Sequence, residues 1–517
     1  MAKEIAPTQT VSEAGRASRP NVIIFYTDDQ GYGDASCLNP ESRFKTPNID
    51  RLASEGISFT DGHCSDSVCT PSRYGLLTGR YAWRTTLKKG VMGAEGKCLI
   101  SPTTTTIASH LKSAGYATCM VGKWHLGMDF PGTSWKDRDW TKPVRGMPLD
   151  RGFDYFFGVP ASLNYGVLAW FEGRYAKCPP TLFTNKKENA RHVDYRIMPP
   201  YEDDPSKTKK LLGRLGMEVA EDFVDNQCLT RFTDKAIEWM QKHLAKSRQS
   251  GSQQPFFVYL PMTSPHYPVC PLPEFEGRGD AGAYGEFVLE TDHHLGRILK
   301  FLRTQGIDDN TVLVYTSDNG PEKSWKERVE EFGHRSNGPL REGKRSAYEG
   351  GHRVPFLVRW PDGIRNPGRR SDHLVCQTDL IATLAEVTQT RLAENEGVDS
   401  VSFAAVLEDK PCRARPPLIS HASNGRFAIR EGKWKLLLPD SRVKRTELYD
   451  LSNDIQERVD LAQMNPNVTK DLQNKMTEIV VRGRTTEGST QSNDTGFWID
   501  LGWLSQEEYS ALVQARN

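Results

Sequence analysis

A chain of 517 residues, 37% of them hydrophobic, with a formal net charge of +1, is long enough for a large core and more than one domain. That charge balance removes the electrostatic case for a nucleic-acid or anionic-membrane partner, and no apolar run reaches the length of a membrane span. Ten cysteines are far too sparse for a disulfide scaffold and show no zinc-type spacing.

In chain order, residues 1–20 are polar and lack the apolar stretch of a signal peptide. They read as a disordered or tag-like N-terminus, either of a cytoplasmic protein or of an exported domain whose leader has been removed. Four short apolar runs then stand out, each ending in polar residues. Asn21–Tyr26 leads into Thr27-Asp28-Asp29, and Tyr116–Val121 into Gly122-Lys123-Trp124-His125. Pro255–Leu260 leads into Ser264-Pro265-His266, and Thr311–Tyr315 into Ser317-Asp318-Asn319-Gly320. Near-continuous apolar runs of this length predict strands buried on both faces of a mostly parallel sheet.

Helical periodicity lies between them. Phe232, Ala236, Trp239, Met240 and Leu244 share one face and predict a helix ending before the polar loop 247–254, while Val288, Leu295, Leu299 and Leu302 predict another over 286–303. Strands alternating with helices give an α/β fold, a large mostly parallel sheet sandwiched by helices, whose ligands bind beyond the carboxyl ends of the strands. The stretch 129–218, rich in Pro, Arg, Lys and Trp, reads as insertion loops over the site. Beyond about residue 389 the runs 426–430, 434–438 and 447–451, with Glu431-Gly432 as a turn, predict a smaller C-terminal domain of antiparallel sheet, with a helix over 468–482 packed on it. The expected organisation is therefore 1–20, a catalytic domain over 21–389 and a small domain with tail over 390–517.

The chemistry-bearing residues cluster at those strand ends. Cys69-Thr70-Pro71-Ser72-Arg73 places a cysteine at the first turn of a helix, with Pro71 suited to the opening position. Unpaired N–H groups, the helix dipole and Arg73 make that turn an anion site. Read alone, Cys69 is equally a buried structural cysteine. Asp28, Asp29, Asp318 and Asn319 are all-oxygen ligands that suit one hard divalent cation, calcium first and magnesium second; the alternative for each Asp pair is a helix cap. Lys123 and His125 alternate beyond a strand, His266 sits in a Pro-bracketed turn, and Lys344 lies in a Gly-containing loop. Together they supply charge to neutralise the non-bridging oxygens of a tetrahedral oxyanion ester. Trp135, Trp140, Asn164, Trp170, Arg174, His334, Arg335 and His421 could line a sugar subsite and read equally well as surface or packing residues.

The motifs Asp28-Asp29-x-Gly31-x-Gly33-Asp34, Cys69-x-Pro71-Ser72-Arg73 with Leu77-Thr78-Gly79-Arg80, Gly122-Lys123-Trp124-His125-Leu126-Gly127, Ser317-Asp318-Asn319-Gly320 and Glu349-Gly350-Gly351-x-Arg353-Val354-Pro355 follow one another in an order that resembles the formylglycine-dependent (type I) sulfatases. These form a family within the alkaline phosphatase-like superfamily that includes arylsulfatase A-like and bacterial carbohydrate sulfatases. The resemblance runs from about Asn21 to about Leu461. It implies that Cys69 is oxidised to formylglycine by a formylglycine-generating or anaerobic sulfatase-maturating enzyme, and that position 69 joins Asp28, Asp29, Asp318 and Asn319 around the cation. It implies a hydrate nucleophile held by Arg73 and Lys123, with His266 as general acid assisted by Lys344 and His125 as base. The expected reaction is hydrolysis of a sulfuric ester on a sulfated carbohydrate, with exo action on 6-O-sulfated galactose or N-acetylgalactosamine as the finer expectation and a periplasmic or extracellular setting. The alternative is a phosphomonoesterase or phosphonate monoester hydrolase of the same superfamily.

Overall fold

The computed structural model describes residues 19–184, 186–188, 195–208 and 216–515; residues 1–18 of the polar N-terminus lie outside them. The frame is a ten-stranded sheet built from β1 (Asn21–Asp28), β2 (Ile57–Phe59), β3 (Ala117–Lys123), β4 (Tyr155–Val159), β5 (Phe171–Glu172), β6 (Tyr175–Ala176), β7 (Phe256–Pro265), β8 (Thr311–Ser317), β9 (Phe356–Arg359) and β10 (Arg369–Ser371). The helices that matter for the site are α1 (Cys69–Thr78), α2 (Cys228–Gln249), α3 (Gly282–Gln305) and α4 (Trp325–Phe332). The strand order is β10-β2-β9-β8-β1-β7-β3-β4-β5-β6. The five central strands β8-β1-β7-β3-β4 run parallel, and antiparallel pairs appear only toward the edges. Val22 through Tyr26 are fully buried, as strands covered on both faces must be. Helices α2 and α3 pack on β7.

Register explains how distant motifs meet. Thr27 pairs with Ser317 of β8, and Asp28 with Pro265 of β7. Tyr259 of β7 pairs with both Ile24 and Met120, so Thr27 and Lys123 each lie three residues further along at one level. The four polar strand ends therefore open at the same edge, the carboxyl end of a parallel sheet, where α/β proteins bind ligands.

The structure corrects four sequence readings. The 129–218 stretch is not only insertion loops: β4, β5 and β6 belong to the main sheet, and Phe156 and Phe157 are core residues. Gly158 makes this possible, since a Cβ there would meet the Gly122 carbonyl oxygen at 1.9 Å. Helix α2 continues to Gln249, past its expected end, because a polar helix end needs no apolar face. Helix α1 begins at Cys69 itself, so Pro71 is its third residue; the first-turn N–H is an orphan at any of those positions, and proline is tolerated throughout. The turn expected at Glu431-Gly432 is shifted by one residue, since Glu431 still pairs with Trp434 and the left-handed Gly432 follows it.

The C-terminal sheet is a meander of β11 (Leu418–His421), β12 (Phe427–Glu431), β13 (Trp434–Leu437) and β14 (Glu447–Asp450), all antiparallel, with α5 (Pro466–Arg482) on one face. Its core includes Tyr81 and Trp83, which directly follow α1. Among the described residues no helix is long and apolar enough to cross a membrane.

Candidate active site at the strand ends

The site is built around the first turn of α1. Val68 precedes the helix in extended conformation and offers no side-chain cap, so the N–H groups of the first turn and the positive end of the dipole remain free to act on the cluster. All ten residues of α1 are buried. The Cys69 thiol lies 3.4 Å from Asp28 Oδ1 and 4.0 Å from Asp29 Oδ1. One turn on, Arg73 donates to Asp318 Oδ2 at 2.8 and 3.1 Å and to the Lys123 carbonyl at 2.9 Å, tying the ends of β8 and β3 to the helix. The Lys123 ammonium is on Asp28 Oδ2. Lys344 donates to both Asp29 oxygens at 2.5 and 2.6 Å, and Asn319 Nδ2 donates to Asp29 Oδ1 at 2.8 Å. His266 Nε2 stands 3.7 Å from Asp29 Oδ2.

Local backbone geometry delivers these side chains. Asp29 and His125 both adopt left-handed φ, +65° and +59°, so the strand ends turn sharply toward the helix; such conformations in non-glycine residues persist only where surrounding contacts hold them. This differs from the extended continuation expected for Lys123-Trp124-His125. Lys344 is fixed by its N–H on the Pro321 carbonyl at 2.9 Å, and the following Arg345 N–H reaches the Ser67 carbonyl at 2.8 Å. The Gly320 N–H bonds to the Gly351 carbonyl at 3.0 Å, which seats the Asp318-Asn319 turn beneath the Glu349-Gly350-Gly351 segment.

Burial dominates the protonation of this site. Burial pushes the Asp29 carboxyl up, but the Lys344 ammonium outweighs it and, with the Asn319 amide, holds it below the usual carboxylate range. Burial and then Asp28 push the Asp318 carboxyl up to about 6, against the pull of Arg73. Burial, reinforced by Asp318, raises the Cys69 thiol, so the unmodified cysteine is a poor nucleophile. Burial lowers His266 to about 3 and, with Lys123 and Arg73, lowers His125 well below its ordinary value. Both imidazoles are neutral, and their partners fix the tautomers. His125 Nε2 is 2.9 Å from the Met92 carbonyl and must carry the proton, leaving Nδ1, which is buried and without a partner among the described residues, as a lone-pair acceptor. His266 Nδ1 likewise donates to the Tyr267 carbonyl at 2.6 Å.

The residues present fit a divalent cation. Asp28, Asp29 and Asp318 offer hard oxygen donors, and Asn319 Oδ1 is a buried acceptor without a partner among the described residues, the kind of group a cation satisfies.

All the expected site residues thus meet in one place. The proposed sugar-subsite residues do not all follow. Trp170 is fully buried, Arg174 pairs with Asp150 at 2.5 Å, His334 is locked to Asp34 at 2.7 Å, and His421 pairs with Asp66 at 2.8 Å. Asn164 does reach the site's rim, donating to the Tyr267 hydroxyl at 3.0 Å, and Tyr267 stacks on His266 with ring centroids 4.5 Å apart. Sequence reasoning missed Met92, whose backbone carbonyl sets the His125 tautomer, and the Arg345–Glu322 pair at 2.5 and 2.7 Å beside Lys344. A backbone contact across 33 residues leaves no residue-type signal, whereas Arg345 next to a candidate lysine could have been noticed.

Comparison with known proteins agrees with this geometry. A family model described as Sulfatase matches residues 20–390, and one described as N-sulphoglucosamine sulphohydrolase, C-terminal, matches residues 342–483. The chain is 31% identical over 496 residues to an N-acetylgalactosamine-6-O-sulfatase of Bacteroides thetaiotaomicron, covering 90% of this chain and 94% of that one. It is 31% identical over 424 residues to arylsulfatase A of Homo sapiens, covering 81% and 75%. It also superposes with a TM-score of 0.77 and 29% identity on a solved structure concerned with the metabolism of multiple glycosaminoglycans by Bacteroides thetaiotaomicron, covering 90% of this chain and 99% of that chain.

Proposed function

The chain belongs to the sulfatase family of sulfuric ester hydrolases, and from that premise we propose that it removes sulfate from a sulfated carbohydrate. Its nucleophile would be a formylglycine made from Cys69 by a maturating enzyme, with one calcium or magnesium ion held by Asp28, Asp29, Asp318, Asn319 and position 69. The observation that carries this reading is the placement of Cys69, buried at a helix N-terminus among three carboxylates and the cations of Arg73, Lys123 and Lys344. A thiol so suppressed has little use as itself. A hydrated aldehyde at the same place supplies one hydroxyl to attack sulfur and a second whose deprotonation restores the carbonyl, and the cation supplies positive charge for the ester oxygens. The net reaction consumes one water and yields the free alcohol, sulfate and a proton.

This chain's own residues carry the rest. Arg73 and Lys123 keep the Asp318 and Asp28 carboxylates in place and add positive charge to the oxyanion. Neutral His125, with its Nδ1 lone pair open, suits the base role. Lys344 already holds a proton for the leaving oxygen. His266 gains one most readily once an anionic ester sits beside it, because an adjacent negative charge favours the imidazolium. The name of the N-acetylgalactosamine-6-O-sulfatase relative supports 6-O-sulfated N-acetylgalactosamine as the substrate; 6-O-sulfated galactose, action from a chain end and a periplasmic or extracellular setting belong to the proposal without that support.

Two measurements test the proposal. Peptide mass spectrometry after co-expression with a formylglycine-generating enzyme should show residue 69 with its sulfur replaced by an aldehyde oxygen; full activity with unmodified cysteine overturns the nucleophile. Sulfate release should be fastest from 6-O-sulfated galactose or N-acetylgalactosamine in a screen of sulfated sugars, and a preference for another position overturns that substrate assignment alone.

A further inference from the structure

A surface groove of about 820 Å³ runs along the outer side of the loop that carries Lys344. Its walls come from residues 335–342, from Trp325 and Lys326 at the start of α4, from Asn39 and Glu41, and from residues 456–458. None of these belongs to the catalytic cluster, yet the two are back to back. Lys344 turns inward to Asp29, while Trp325 covers the neighbouring Gly343 so closely that a Cβ there would lie 2.9 Å from the indole Nε1.

The groove's polar groups are unevenly committed. Arg341 is used, donating to the Glu457 carbonyl at 2.5 Å and lying 3.7 Å over the Tyr348 ring. Glu457 is paired with Lys435 at 2.9 Å, and Glu342 faces Lys326 at 3.6 Å. Arg335 and Arg458 differ. Both are exposed, they stand on different walls of the groove, and among the described residues neither guanidinium has a hydrogen-bond or ion-pair partner. Asn337 between them is 1% exposed. Its Nδ2 donates to the Leu340 and Glu342 carbonyls at 2.6 and 3.0 Å, and among the described residues its buried Oδ1 has no hydrogen-bond partner.

We propose that this groove is a second, non-catalytic binding site for an anionic saccharide segment. The two free guanidinium forks match the bidentate geometry of sulfate or carboxylate groups. The half-buried Trp325 ring offers an apolar face beside them. The groove's size is that of a site for an extended ligand rather than a lone ion. It would hold a remote part of the same chain whose sulfated end is processed on the other side of the Lys344 loop. The saccharide class rests on the sulfatase reading; the preference for an anion rests on the two arginines.

Calorimetry on the Cys69→Ala protein tests this, with a chondroitin 6-sulfate hexasaccharide, desulfated chondroitin of the same length and inorganic sulfate as probes. Replacing Arg335 and Arg458 together by alanine should weaken hexasaccharide binding about tenfold or more, the scale of lost charge-assisted pairs. Substituting Lys207 and Lys242, exposed and remote from the groove, should have little effect. A loss confined to the sulfated chain identifies sulfate as the recognised group, and an equal loss with the desulfated chain identifies the uronate carboxylate. The proposal is overturned if the arginine variant binds like its parent, loses no more than the lysine control, or if the groove takes up inorganic sulfate without any hexasaccharide preference. If the sulfatase reading failed, sulfate release would vanish in the unsubstituted protein while this difference in affinity remained.

Discussion

Among the described residues lie two buried, charge-dense clusters that could each hold a metal ion, and they are built to opposite ends. One is the strand-end site around Cys69. The other sits where the C-terminal sheet meets the main fold, around His63, His352 and Glu349. Each gathers carboxylates, histidines and cations, and each contains three or more groups close enough to share a metal ion. In the second cluster every group is paired, Glu457 Oε1 through its ion pair with Lys435 alone. His63 contacts His352 Nδ1 at 2.9 Å and Asp61 at 2.8 Å. Asp61 takes a bidentate pair from Arg430. His352 Nε2 meets the Ala347 carbonyl at 3.2 Å and Lys435 at 3.1 Å, and Lys435 bridges Glu349 and Glu457 at 3.0 and 2.9 Å. Lysine and arginine already sit where a metal would. In the first cluster His125 Nδ1 and Asn319 Oδ1 are open, and Asp29 and His125 hold left-handed backbones. Burial and charge density therefore do not identify an active site. Unmet donors and acceptors, local strain and a place at the carboxyl ends of parallel strands do.

The sharpest way to break this contrast is to remove the group unique to the first cluster. Cys69→Ala should lower turnover by roughly 10⁴-fold or more with little change in unfolding midpoint, since a small buried thiol contributes modestly to packing. Steady-state kinetics alongside thermal unfolding measures both. Retained turnover would return Cys69 to the status of a core cysteine.

The next largest effect concerns the ion. Elemental analysis should find one divalent cation per chain, lost with Asp318→Ala and with chelation, and activity should fall about 10³-fold in both cases. His63→Ala and His352→Ala should keep the cation. If they shed it and Asp318→Ala does not, the two clusters have been assigned the wrong way round.

Lys435→Met probes the second cluster directly. It leaves the Glu349 and Glu457 carboxyls buried without their shared cation, and breaking such a set costs roughly 3–5 kcal/mol. The denaturation midpoint should drop accordingly, while turnover per folded molecule holds. A loss of turnover with unchanged stability would make the cluster catalytic instead.

The first cluster was legible in the sequence and the second was not, for a physical reason. Strand ends in one parallel sheet converge whatever lies between them, so Asp28, Lys123, His266 and Asp318 could be gathered from periodicity alone, and the cysteine motif marked the helix they face. Lys344 was a candidate only as a lysine in a Gly-containing loop, and the roles within the set came from motif resemblance. The second cluster depends on how a C-terminal meander docks, which places Lys435 and Arg430 against Asp61 and Glu349 across some 370 and 90 residues of chain. No periodicity encodes that. The strand Tyr155–Val159 was hidden similarly: its fit depends on Gly158 meeting Gly122, a contact between two elements rather than a property of either.

The smallest expected effect is one of pH. Burial, followed by Lys435, holds His352 well below the ordinary histidine range, and burial outweighs Asp61 to lower His63 as well. Both are neutral in the folded chain but take up a proton near pH 6.5 once unfolded. Below that pH the unfolded state binds more protons than the folded one, so stability must fall as pH falls, by up to about 1.4 kcal/mol per pH unit for each such histidine. Glu349, which burial raises but Lys435 pulls far below the carboxylate range, adds a further loss only once pH drops through the unfolded glutamate value near 4.3. His352→Gln retains a polar side chain but cannot titrate. Between pH 7 and 5 its unfolding free energy should decline less steeply than that of the parent, while at pH 8 the variant should be the less stable of the two. Equal slopes would mean that His352 takes up its proton equally in the folded and unfolded chain, and the fully paired, metal-free description of the junction would no longer stand.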